Sequence, residues 1–494
     1  MTFIKAGSFS SAMKKILWAA GLLFICLFLW YYPPYFTFAG DESQYVHMAW
    51  LLSQGKSLRV SDMEDSHNFP TKDGHLFFPQ YGVGQSLFIL PFALLDWRAI
   101  FLVGLLFHMF TWYVVVLLCK RWGVDEHVSL LYLFFPGMVF FSRTVMSEPA
   151  TLFFITLGVY LIEKRPACAG ACFGASLLIR YSNAVFIAPF FLVTLWKADW
   201  RKFRYLIVGI SPFILFLLLY NWVVYGGLLS TGLKTPRPGL TVSTTVFFKY
   251  IITLSILLPF MLFAPFIYRG KCAAELRIAT ILSIIFFSWI GIDTFHYDWV
   301  KNLVIGTRYL FPLVPLLIVA YGAMAFTKIK RWLLFLVAGL LLGAILISAR
   351  QYSFASELRT LHDVAYKETE KDSLIFTNSY ALGIINSFHE PRYGIMIYTY
   401  IPFTERINSI DPSDPLRLKL VQQRRKTKPS YFVFADPKTA VSEVKVAEGS
   451  VEELVAERTG EEDVAHQFNA TLVYSGDTSG DTSFIKIWKL PYPR

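Results

Sequence analysis

Charge is scarce in this chain. Of 494 residues only 16% are Asp, Glu, Lys or Arg, whereas 55% are hydrophobic and 17% aromatic. An ordinary soluble domain carries about 25% charged residues, so a water-exposed surface over most of the chain is excluded and an integral membrane protein is indicated. Acidic residues are scarcer still, 35 against 46 basic ones, which leaves a net charge of +11. That surplus is not a nucleic-acid stripe. The cations fall in short clusters between apolar runs, the pattern that fixes orientation in a bilayer, and no nucleic-acid partner is expected. Cysteine is also rare. Cys26, Cys119, Cys168, Cys172 and Cys272 sit in apolar runs or at their ends, with no disulfide framework or metal-ligand spacing.

What is present is a long series of apolar runs. Lys5, Lys14 and Lys15 precede the first, roughly 16–32. Later runs are followed by Lys120 and Arg121, by Lys164 and Arg165, by Lys197, Arg201, Lys202 and Arg204, by Arg269 and Lys271, and by Lys328, Lys330 and Arg331. Placing all of these in the cytoplasm gives about eleven spans, with the N-terminus inside and the C-terminus outside. Arg180-Tyr181-Ser182 interrupts the run 167–196 as a turn or a kink. The first run is too long for a removable signal peptide and lacks a small-residue cleavage site, so it reads as a retained anchor.

Two regions stand outside the membrane. The first is a loop over 33–96, within a transmembrane domain of 1–350. A helix is expected to start at Asp41, where Asp41 and Gln44 fit a capping box and Tyr45, Met48, Ala49 and Leu52 share a face. It is expected to lie along the membrane surface. The second is the tail 351–494, whose composition is that of a soluble α/β domain, with strand candidates at 373–377, 431–435, 470–474 and 484–490. The fold class is therefore a polytopic α-helical membrane protein with a C-terminal soluble α/β domain. The tail has no phosphate loop and no nucleophile elbow, which points it to recognition or scaffolding.

Candidate chemistry gathers on the predicted outer side. Asp41 and Glu42 follow the first span directly, and carboxylates at a bilayer boundary are costly enough to suggest function. The plainer reading makes Asp41 a helix cap and Glu42 a partner of the helix dipole. Glu148, in Ser147-Glu148-Pro149, has the same two readings, with Ser147 as cap and Pro149 in the first turn. Arg143, Lys234, Arg237, Lys301 and Arg308 lie on the same side, against the positive-inside bias. Together they could hold a phosphate, and singly each could snorkel to lipid headgroups. His296 and Tyr309 flank this set. His47, His67 and His75 share the side, but no two histidines have zinc spacing.

Four segments, in this order, resemble the GT-C superfamily of membrane glycosyltransferases: Gly40-Asp41-Glu42-Ser43-Gln44-Tyr45, Gly84-Gln85-Ser86-Leu87, Ser147-Glu148-Pro149 and Arg308-Tyr309-Leu310-Phe311-Pro312. The nearest patterns are the family 39-like group, the protein O-mannosyltransferases and the aminoarabinose transferases. The resemblance covers about residues 15–350. It implies a polyprenyl-phosphate-linked sugar donor, a lipid, glycan or protein acceptor, and a site on the periplasmic side of a bacterial inner membrane. Asp41 would be the general base, with Glu42 and Glu148 as the other acidic positions and Arg308 on the lipid phosphate. Arginine, lysine or a divalent cation would stabilise the leaving phosphate, and the outcome would be inversion. Where aminoarabinose transferases carry a phosphate-binding Lys-Pro, this chain reads Phe78-Pro79-Gln80, so other cations would have to take that part. Two alternatives stay open: a transporter or flippase for a lipid-linked substrate, although no internal repeat is evident, and a catalytically silent assembly partner.

Overall fold

A computed structural model describes residues 11–37, 39–60, 71–73, 76–232, 244–290, 302–325, 330–370, 373–377, 393–396, 426–427, 429–435, 471–475 and 485–490. They belong to two compact units, one of Met1–Pro33 with Tyr81–Tyr352, the other of Pro34–Gln80 with Ser353–Arg494.

The first unit is helical. Among the described residues, Trp97–Trp122, Trp200–Tyr225 and Leu333–Glu368 are long and apolar enough to cross a membrane, and Thr244–Leu257 with Met261–Ile267 forms a pair bent by 106°. Five further apolar helices are shorter: Gly84–Leu95, Glu148–Leu161, Pro166–Ile179, Tyr181–Trp196 and Arg308–Met324. A helix of 14 residues, such as Glu148–Leu161, rises only about 21 Å, short of a hydrocarbon core of about 30 Å. Prolines start two of these helices, Pro149 near the head of one and Pro166 at the head of the next. The break expected near Arg180 is a true interruption. Arg180 is extended at φ −146°, ψ 122°, and a 3₁₀ turn at Tyr181–Asn183 follows. Asn183 Nδ2 donates to Ser176 O at 2.7 Å, adding a second donor to a carbonyl that already accepts from Arg180 N at 3.0 Å.

Helices Pro166–Ile179 and Trp200–Tyr225 touch backbone to backbone. A Cβ on Gly170 would strike Leu206 O, and one on Gly209 would strike Ala167 O. Small residues at helical spacing permit this approach, and Cys168 and Cys172 lie on the same helix as free thiols.

In the second unit, helix Ala39–Ser53 starts two residues before the expected Asp41. Glu42 through Ala49 are all buried, polar Glu42, Ser43, Gln44 and His47 included. A short hairpin pairs β1, Thr71–Asp73, with β2, Leu76–Phe78, and Val60 bridges to Phe77. The Tyr35 ring lies 4.4 Å from that of His362, with its hydroxyl 3.3 Å from Nδ1. This ties the start of the loop to helix Lys330–Glu368.

The tail forms a sheet of five strands in the order β4-β3-β5-β7-β6. They are β3 Leu374–Thr377, β4 Tyr393–Met396, β5 Ser430–Ala435, β6 Thr471–Ser475 and β7 Ile485–Leu490. Strands β4, β3 and β5 run parallel, and β7 and β6 add antiparallel. In β7 the pattern Ile485, Ile487, Trp488 and Leu490 is buried. Glu370 follows the long helix and accepts from Tyr431 Oη at 3.0 Å and from Lys489 Nζ. Residues 431 and 489 are register partners in the sheet, so one carboxylate ties the helix end to two adjacent strands.

Candidate functional site

The candidate residues divide between the units. In the first unit, Glu148 opens helix Glu148–Leu161 and is 1% exposed. Ser147 occupies the cap position but makes no side-chain cap bond to the helix, contrary to the expected Ser147 cap. Instead the carboxylate meets Arg180, whose Nη1 lies 3.1 Å from Oε1. The contact is an ion pair only, since neither carboxylate oxygen has a hydrogen-bond partner. The Arg180 guanidinium also lies over the Tyr309 ring, 5.6 Å from its centroid, and Arg308 lies over the same ring at 4.9 Å. Arg308 Nη2 donates to Tyr309 Oη at 3.0 Å, and the Tyr309 ring stacks on Phe287 at 5.2 Å. Two guanidinium groups therefore share one aromatic ring, with one buried carboxylate on the first of them. Cation–π contact holds such groups without neutralising them.

The segment before Gly84–Leu95 places this cluster. A Cβ on Gly84 would lie 2.7 Å from Leu178 C, and one on Gly82 would also strike the Leu178 carbonyl. Glycine there lets the chain press against the backbone two residues before Arg180. Gln85 Nε2 donates to Val145 O at 2.9 Å and Met146 O at 3.1 Å, on the strand of chain that leads into Glu148. The Gly84-Gln85 pair thus braces both approaches to the ion pair.

Arg143 goes elsewhere. It is 1% exposed, its guanidinium lies over the Phe28 ring at 5.5 Å, and Nη1 is 3.5 Å from Phe28 O. Those contacts are with the last turn of helix Ser11–Trp30, whose carbonyl end favours a cation. Its Nε and Nη2 have no hydrogen-bond partner. Lys234, Arg237, His296 and Lys301 lie outside the described residues.

In the second unit, Asp41 is half-buried in the first turn of its helix, and Glu42 is fully buried. Glu42 Oε2 accepts the Thr37 backbone N–H at 2.9 Å, so Glu42 satisfies a donor ahead of the helix. The expected Asp41–Gln44 capping box gives way to a different use of Gln44, whose Oε1 accepts from Gln80 N at 3.3 Å. His47 stacks on Trp50 at 5.7 Å. No three His, Cys, Asp or Glu among the described residues converge to hold a metal ion.

Arg180 is the residue that sequence reasoning missed. It registered only as a break in an apolar run. The usable signal was its charge, because an ionisable group inside such a run needs a partner.

No protein-family model matches the chain, and no curated protein matches it. Among the solved structures similar to it are two of one protein. ArnT from Cupriavidus metallidurans in the apo state matches with a TM-score of 0.59 at 12% identity, covering 97% of this chain and 98% of that one. The same protein bound to undecaprenyl phosphate matches with a TM-score of 0.56 at 12% identity over the same shares. The likeness extends over nearly the whole of both chains. At this identity it is a likeness of fold.

Proposed function

We propose that the chain is a membrane glycosyltransferase that moves a sugar from a polyprenyl-phosphate-linked donor to an acceptor hydroxyl on the periplasmic side of a bacterial inner membrane. The observation that carries this reading is the fold, similar over 97% of the chain to a structure bound to undecaprenyl phosphate. The Arg180–Tyr309–Arg308 cluster, with two guanidinium groups on one ring, supports it as a place for a lipid phosphate.

Asp41, half-buried at a helix start, takes the acceptor proton. The acceptor oxygen then bonds to the anomeric carbon as the bond from that carbon to the phosphate oxygen breaks. Attack opposite the leaving group inverts the anomeric centre. The polyprenyl phosphate leaves with the electron pair, and arginine donors that bind phosphate bidentately stabilise its charge. Arg308 and Arg180 are the arginines assigned to that task. Glu148 orients Arg180, and Glu42 holds the turn that presents Asp41.

The test is transfer in proteoliposomes supplied with polyprenyl-phosphate sugars, comparing the parent with Asp41→Asn. Loss of transfer with folding and donor binding intact is the expected result. Equal transfer by the variant removes Asp41 from the mechanism. Movement of the lipid-linked sugar across the bilayer without transfer replaces this reading with a flippase.

A further inference from the structure

Far along the sequence from these residues, the first unit contains a cavity of about 580 Å³ lined by Glu163, Lys197, Arg269, Lys271, Cys272, Glu275 and Arg277, among others. Lys197, Arg269 and Lys271 belong to clusters that the charge pattern assigns to the cytoplasmic loops, the side opposite the proposed chemistry.

The charges in this cavity are unequally satisfied. Lys197 Nζ reaches Glu275 Oε1 at 3.2 Å, and Lys202 Nζ reaches Glu163 Oε1 at 2.7 Å. Arg277 donates from Nε to Pro265 O and from Nη2 to Tyr268 O, both at 2.9 Å. Arg269 and Lys271 are exposed and make no ion pair among the described residues. The Glu275 side chain is only 6% exposed, and its Oε2 has no hydrogen-bond partner. The cavity therefore offers two unpaired cations and one buried, unused carboxylate oxygen. An anion alone would meet the cations and leave that oxygen stranded, at a cost for a buried acceptor. A ligand carrying both a phosphate and a protonated amine satisfies both.

The surroundings narrow the source of such a ligand. Trp196 adjoins Lys197 in sequence, and Phe263, Phe266 and Ile267 precede Arg269. All four side chains are exposed large hydrophobics, as expected of groups facing lipid at a helix end. Burial, then the charges of Glu275 and Glu163, push the Cys272 thiol up to about 12. A thiol held protonated in this way is a poor nucleophile.

We infer that this cavity binds the headgroup of an aminophospholipid, with the phosphate on Arg269 and Lys271 and the ammonium on Glu275 Oε2. Basic pockets between membrane helices recruit lipid headgroups, and here the buried carboxylate selects for a protonated amine. The inference does not depend on the glycosyl-transfer reading, because its test measures lipid binding and not sugar transfer.

The experiment is native mass spectrometry of the full-length protein in detergent, titrated separately with phosphatidylethanolamine, phosphatidylcholine and phosphatidylglycerol. In the parent, phosphatidylethanolamine is expected to bind roughly fivefold or more tightly than phosphatidylcholine, whose quaternary amine cannot donate a hydrogen bond. The double variant Arg269→Ala, Lys271→Ala, at exposed positions, should weaken both phosphatidylethanolamine and phosphatidylglycerol by roughly the same factor. Arg204→Ala, an exposed cation that does not line the cavity, should change nothing. Glu275→Gln should abolish the preference for ethanolamine over choline and spare phosphatidylglycerol. Equal binding of ethanolamine and choline lipids by the parent overturns the inference, and that comparison needs no variant to fold. Unchanged binding by the double variant also overturns it. Soluble O-phosphoethanolamine at equal concentration is expected not to displace the lipid, and displacement would overturn the assignment to a lipid.

Discussion

Arg180 Nη1 stands 3.1 Å from Glu148 Oε1, and 1% of the Glu148 side chain reaches solvent. A buried pair contributes little net stability, but removing one partner strands a charge. Arg180→Ala is therefore expected to destabilise the protein by about 3 kcal/mol. The double variant Arg180→Gln, Glu148→Gln should recover much of that loss, because neither charge is then left alone. Denaturation in detergent measures both. Transfer should fail in the single and the double variant alike, which separates the proposed role in phosphate binding from the role in folding.

Gly84 makes a second, sharper test of how that pair is placed. Gly84→Ala sets a methyl group 2.7 Å from Leu178 C, and the backbone leading to Arg180 must move. Overpacking of this kind costs about 1–3 kcal/mol. A displacement of about 1 Å at a reacting centre can cost roughly a hundredfold in rate. The expected outcome is a loss of transfer out of proportion to the change in melting temperature. Ala at Gly123 meets nothing within 4 Å but sits at φ +70°, so it should lower stability modestly and leave transfer per folded molecule unchanged.

Glu148 was legible in the sequence because a Ser-Glu-Pro run marks a helix start, and helix starts are local. Arg180 was not, because its meaning depends on a carboxylate 32 positions earlier in the numbering, and no local pattern records that. The strand candidates near 373, 431, 470 and 484 all correspond to strands, since alternating apolar residues declare themselves. Strand β4, Tyr393–Met396, was missed. It is four residues long with a glycine inside, too short to show a period. The Asp41 helix was found, but the burial of its polar residues was not. Its first turns looked amphipathic, yet His47, Ser43 and Gln44 are buried along with Val46. Pairing of Tyr35 with His362, across most of the chain, lies beyond any reading of periodicity.

The acidic neighbours Asp41 and Glu42 should separate cleanly under mutation. Glu42 is fully buried and bonded to the Thr37 N–H, so Glu42→Ala leaves a backbone donor without its acceptor. The expected cost is about 1–2 kcal/mol, read as a lowered denaturation midpoint. Glu42→Gln keeps an acceptor and should lose less. Asp41→Asn should leave the midpoint unchanged and remove transfer. If both positions lower stability and neither removes transfer selectively, the pair is a helix-start device and the base lies elsewhere.

The tail carries its own pH signature. Hydrogen bonds from Lys489 and Tyr431 hold the Glu370 carboxyl below its usual range, and the bond to Glu370 raises the Lys489 ammonium. A depressed carboxylate contributes stability above its unfolded value, about 4.3, which is lost as pH falls through the lower folded value. A raised ammonium contributes stability below its unfolded value, about 10.4, which is lost as pH rises through the higher folded value. The difference in melting temperature between the parent and Lys489→Met should therefore be a plateau between about pH 5 and pH 10, declining at both ends. The pair is exposed, so the plateau should be low and should shrink further with added salt. A difference that stays flat below pH 4 would show that Lys489 acts through packing on the Tyr431 ring, 5.7 Å away, and not through the charge of Glu370.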